Sequence, residues 1–197
     1  MRKAVFILLP ALALLSGCVS MESVNPLSPQ KEAKPDHRLE GMWRGKDNKS
    51  SYYLFVSYRK NGMGSLVYVG SEDSGAIDTL REDFFVTHTP KGDYFNLTNG
   101  FYTIDGKVHR DKPGTYTFAE YRFSWIGQLV TAGAEADNFV TAVQQGKLKG
   151  RVTHDKNGNV SEVLLTDSSE RILHFIESSK AGDVFDAESR FGKVGGR

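Results

Sequence analysis

Apolar and polar residues alternate along most of this chain with the two-residue period of a half-buried strand, in runs of strand length. In SYYLFVSYRK (51–60), Tyr52, Leu54, Val56 and Tyr58 share one face and Tyr53 and Phe55 the other. GSLVYVG (64–70), DFFVTHT (83–89), DYFNLTN (93–99) and TYTFAEYRFSW (115–125) continue the series, and KLKGRVTHD (147–155) and VSEVLLTD (160–167) close it. Between the runs stand Asn61-Gly62, Asn99-Gly100, Asp105-Gly106, Asn157-Gly158 and Lys112-Pro113-Gly114, whose residues suit tight turns. Even spacing with short connections predicts an antiparallel barrel or sandwich rather than a parallel sheet.

Two stretches change to a helical period. AEADNFVTAVQQG (134–146) sets Phe139, Ala142 and Val143 at i, i+3 and i+4 and stops at Gly146, a glycine end signal. Ser168 or Ser169 precedes Ile172, Leu173 and Ile176, which predicts a second helix over 169–178, with a last strand as the alternative reading. The predicted fold is therefore mainly β, with one or two short helices.

At the N-terminus the pattern is different again. Met1-Arg2-Lys3 is followed by AVFILLPALALL, twelve residues without a charge. A membrane-crossing helix needs about 18–20 apolar residues, so the run is too short to span. Pro10 also opposes a long helix. Residues 1–17 read as a signal peptide that is removed. Residues 18–38 hold Pro26, Pro29 and Pro35 and no hydrophobic periodicity, the composition of a flexible tether. A flexible segment of about 20 residues has a root-mean-square span of roughly 25 Å, so the folded domain is expected to hover near its anchor. That domain is expected over 39–187, with 188–197 as a disordered tail.

Charge narrows the range of partners. Removing residues 1–17 takes Arg2 and Lys3 from the 25 Lys and Arg and none of the 24 Asp and Glu, leaving a formal net charge of −1. There is no basic excess to recruit nucleic acid. Cys18 is the single cysteine, so no disulfide forms within the chain and stability rests on the core.

Candidate chemistry is sparse. His37, His88, His109, His154 and His174 form no His-x-x-x-His pair, and no cofactor or metal is expected. Gly62-Met63-Gly64-Ser65 lacks the second flanking glycine of a nucleophile turn and reads as a hairpin. Glu72 with Asp73, Glu82 with Asp83, and Asp183 with Asp186 would serve a hydrolase if folding set two carboxylates about 5–9.5 Å apart across a cleft. Aromatic residues, from Tyr52 to Trp125, crowd both faces of the predicted strands. Most belong to a core, yet a small barrel with this alternation can also enclose an apolar ligand.

Two short motifs carry resemblances. Leu15-Ser16-Gly17-Cys18 resembles the lipobox of bacterial lipoproteins, in which Leu and two small residues precede the modified cysteine. The resemblance implies a diacylglycerol on the Cys18 sulfur, cleavage before Cys18 and, in Gram-negative species, acylation of the new amino group. Two or more chains then hold a protein stably at a bilayer. Val19 and Ser20 hold no Asp, the residue that retains such proteins at the inner membrane of enteric bacteria, so the implied location is the periplasmic face of the outer membrane in a Gram-negative source and the outer face of the single membrane in a Gram-positive one. Gly41-Met42-Trp43, ahead of the meander, resembles the opening motif of lipocalins and related calycins. It implies a barrel of about eight strands with Trp43 plugging one end. A late arginine would pack over it, Arg151 being the first match and Arg171 the second. The helix at 134–146 departs from that family, whose helix follows the eighth strand. The expected function is that of a non-enzymatic binding or accessory module of the envelope. Its partners are the bilayer, through acylated Cys18, and either a small apolar ligand or an envelope protein; a carboxylate-dependent hydrolase is the alternative.

Overall fold

The computed structural model describes residues 19–46, 51–71, 77–104, 107–110, 112–179, 184–185 and 188–195. Cys18, Asp105-Gly106, Glu72, Asp73, Asp183 and Asp186 lie outside them. In chain order the strands are β1 (Ser20–Ser23), β2 (Gly41–Lys46), β3 (Ser51–Tyr58), β4 (Gly64–Ser71), β5 (Ile77–His88), β6 (Asp93–Ile104), β7 (Lys107–Arg110), β8 (Thr117–Phe123) and β9 (Leu129–Gly133). Then follow helix α1 (Ala136–Gln144), β10 (Gly150–His154), β11 (Val160–Leu165), helix α2 (Ser169–Ser178) and β12 (Ser189–Lys193).

Strands β2, β3, β4, β5, β6, β8, β9 and β12 close into an eight-stranded antiparallel barrel, each pairing with its neighbour in the chain and β12 returning to β2. This is the barrel of about eight strands that the Gly-x-Trp resemblance implied, and it is consistent with a lipocalin-like barrel. β7 extends beyond the ring on β6. The alternation read in the sequence decides what faces inward: Leu54, Val56, Leu66, Phe84, Val86, Phe95, Leu97 and Tyr121 fill the interior. Asn99-Gly100, expected to turn the chain, instead lies within β6. Thr98 pairs with Asp83 and Phe101 with Arg81, so two residues of β6 oppose Glu82, and Asn99 takes φ +51°. The pair makes a bulge because asparagine tolerates the left-handed conformation that an extra residue requires.

The segment from α1 to α2 is inserted between β9 and β12, the seventh and eighth barrel strands. There β10, β11 and β1 form a small sheet, with β1 parallel to β11. The helices cover it, burying Phe139, Val140 and Ala142 from α1 and Ile172 and Ile176 from α2. α2 is capped by Ser168, whose hydroxyl accepts from the Arg171 N–H. This second core reaches the outer wall of the barrel through Tyr94 and Phe118.

Both segments expected to be unstructured are built into the fold. Residues 19–38, within the segment expected as a tether, do not form a free one: β1 is hydrogen-bonded to β11, Leu27 is buried, and the Leu27 N–H donates to the buried Asn96 Oδ1 at 2.6 Å. Residues 188–195, within the segment expected as a tail, do not form a free one, since β12 lies between β2 and β9 and closes the barrel. The folded unit therefore extends beyond 39–187 on both sides. Each segment has few apolar residues, but the first puts Met21 and Leu27 into the second core and the last puts Phe191 into the barrel.

Candidate functional site

The Gly-x-Trp motif marks one end of the barrel. Gly41 has φ +121°, a conformation that favours glycine, and a Cβ there would meet Lys193 Cε at 3.2 Å. Trp43 is 1% exposed, and its Nε1–H donates to the Leu39 carbonyl at 2.7 Å. The chain before β2 thus folds across the barrel end, with Leu39 buried in the same core as Trp43. The cation over the Trp43 ring is Lys193 of β12, its Nζ 5.1 Å from the centroid. Arg151 is not that partner. It lies on β10 of the small sheet with its side chain exposed. Arg171 is engaged on α2, where it donates to Asp167 at 3.1 Å. No periodic signal distinguished Lys193, because its place follows from β12 being a strand.

Beside Trp43, Asp36 forms the polar lock of this end. Its carboxylate accepts from the Arg38 backbone N–H at 3.1 Å, from Arg38 Nε at 2.8 Å and Nη2 at 2.6 Å, and from the Tyr121 hydroxyl at 3.1 Å. Its own N–H donates to the Tyr58 hydroxyl oxygen at 3.2 Å. Burial pushes the Asp36 pKa upward, but the Arg38 hydrogen bonds and charge and the Tyr121 bond outweigh it and hold the group below the usual carboxylate value. Burial also raises the Tyr58 and Tyr121 hydroxyls, keeping both protonated.

The interior is a continuous stack of rings. Phe84 and Phe95 meet at 5.1 Å, Phe95 and Tyr121 at 4.5 Å, Tyr58 and Phe84 at 5.3 Å, Trp43 and Phe123 at 5.9 Å, and Tyr52 and Phe191 at 5.5 Å. Small residues make room for them. A Cβ at Gly64 would sit 2.1 Å from Phe84 and one at Gly45 1.8 Å from Tyr52, so these rings lie against bare backbone. The barrel is filled by its own side chains. A shallow cavity of about 150 Å³ lies elsewhere, between the helices, lined by Asn138, Thr141, Gln145, Phe175 and Ser179.

Glu82 and Asp83 do not form a catalytic pair. Being consecutive on β5, they face opposite ways: Glu82 is buried, whereas Asp83 is ion-paired with Arg59. His154 ends β10, and the neighbouring Asp155 carboxylate accepts from the Asn157 and Asn159 backbone N–H groups, closing a turn. Among the described residues no group of three His, Cys, Asp or Glu is placed to hold a metal ion.

The chain was compared with family models, curated proteins and solved structures. None of them matches.

One prominent feature is not visible in the strand pattern. The run 115–125 was expected to be one strand, with Trp125 among its aromatics. β8 stops at Phe123, and Ser124–Gln128 is a hairpin turn whose tip carries Trp125, 96% exposed, and Ile126, 57% exposed. The turn chemistry that should have signalled this is Gly127, at φ +76°, masked in the sequence by the aromatic run before it.

Proposed function

We propose that this chain is an outer-membrane lipoprotein, held on the periplasmic face by acylated Cys18, whose barrel is a rigid accessory module that binds an envelope partner on its outer surface. The observation that carries the surface-binding part is the filled interior: the rings from Trp43 to Phe191 occupy the space in which a barrel of this size would hold an apolar ligand. The anchoring part rests on Leu15-Ser16-Gly17-Cys18, placed directly after a short apolar run.

Two measurements test it. Cells expressing the chain with a fatty-acid analogue should label it, and Cys18→Ala should abolish the label; a label that survives the substitution overturns the anchor. Native mass spectra of the purified protein should show no lipid beyond the covalent one. A stoichiometric, non-covalently held lipid would move binding back into the barrel and overturn the surface reading.

A further inference from the structure

We propose that the Ser124–Gln128 hairpin is a membrane-dipping finger: Trp125 and Ile126 enter the interface of the bilayer that holds the Cys18 lipid, and seat the Trp43 end of the barrel on its headgroups. This rests on the lipid-anchored reading above.

The finger is built to point outward. The Ser124 N–H donates to the Gln128 carbonyl at 2.9 Å, the Gly127 N–H to the Ser124 carbonyl at 2.9 Å, and the Gln128 N–H to Ser124 Oγ at 3.1 Å. These bonds place Trp125 and Ile126 at the two central positions, where exposed turns ordinarily carry polar residues. The other two hairpins at this end follow that rule, with Lys60-Asn61 after β3 and Pro90-Lys91 after β5. A solvent-facing function would favour the same choice at the third.

The surroundings suit a headgroup layer. Where the finger joins β8, the Arg38 guanidinium lies 4.7 Å from the centre of the Phe123 ring, and Lys193 lies over Trp43, which itself contacts Phe123. Val194, next to Lys193, is 38% exposed. Tryptophan concentrates at membrane interfaces because its ring is apolar and its N–H polar, while basic residues beside it meet phosphates.

The path of the N-terminal segment points to the same bilayer. Ser23 forms an antiparallel bridge with Tyr116, the residue just before β8, and the Ser23 N–H donates to the Tyr116 carbonyl at 2.8 Å. Walking back from Ser23 to Val19 therefore follows the outside of β8 toward its hairpin, and Met21 and Phe118 are buried together on the way. Val19 lies roughly five strand residues short of the tip, on the order of 17 Å at about 3.3 Å per residue. Val19 itself packs, half-buried, against the second core, so the fold begins at the residue after Cys18. A lipid on Cys18 thus holds the domain against the membrane, with its finger on the approaching end.

The two tryptophans provide the test, since Trp43 is sheltered and Trp125 is not. The full-length chain is expressed in a bacterium, extracted from membranes and reconstituted into phosphatidylethanolamine–phosphatidylglycerol vesicles with plain or brominated acyl chains. Mass spectrometry of the same sample reads the lipid on Cys18. The expected result is emission that falls toward half in brominated vesicles and does not fall in Trp125→Phe, a variant that disturbs no packing. Lipidated protein with equal emission in both vesicles overturns the finger and leaves the anchor standing; a protein partner is then its occupant. Quenching of unlipidated protein supports the finger and removes the anchor. Unlipidated and unquenched protein removes both.

Discussion

Asp36 shows how much one side chain can do when it has no room to move. It ties the segment before β2 to Tyr58 of β3 and Tyr121 of β8, so the barrel end is closed by a carboxylate and two hydroxyls above the apolar stack. Its pKa lies below the ordinary aspartate value, so the unfolded chain binds this proton more readily than the folded one. The stability that Asp36 contributes is therefore fully present above roughly pH 4 and is lost as pH falls through the lower, folded value. Denaturation at a series of acid pH values should show this loss, and Asp36→Asn should flatten it while lowering stability at neutral pH. An unchanged acid limb in the variant would place the sensitivity elsewhere. Residue roles at this end were legible in part. Gly41 and Trp43 stood out because glycine and tryptophan are restrictive choices, whereas Lys193 and Asp36 gain their roles from strands and loops remote in the chain.

The elements divide according to how much of their identity is local. Long alternating runs such as β3, β5 and β6, and the two helices with their apolar stripes, were readable because period and length agree with burial. β1 and β12 were not, since SMES and SRFGK lack an alternating pattern and become strands through partners on the far side of the sequence. β12 carries the sharper prediction. Phe191 is buried against Tyr52, and replacing it with Ala should cost about 3–5 kcal/mol in urea denaturation. Ending the chain after Glu188 should abolish the cooperative transition altogether, whereas a disordered tail would be dispensable.

In the whole molecule, two cores share one wall. β6 pairs with β5 and β8 while Phe95 and Leu97 face the barrel interior and Tyr94 faces the second core. Hydrogen exchange should accordingly be slowest along β5 and β6 and fastest at the Ser124–Gln128 tip, as amide exchange would show residue by residue. Uniform exchange across the barrel would mean that the wall is not the most stable unit. The barrel class is legible in the sequence because strand period is a local property. The attached second layer is not, because the partners of β1, β10 and β11 become adjacent only through folding.

The placement of β12 also sets an order of events. β2 and β12 are neighbours in space but separated by about three quarters of the chain, so their seam has the largest loop-closure cost in the barrel. Until it forms, the seven earlier barrel strands make an open sheet with β2 and β9 as unpaired edges, each able to capture a strand from another molecule. A chain delivered N-terminus first would expose those edges until its last strand arrived. The final step of folding is also the step that makes the protein safe to accumulate.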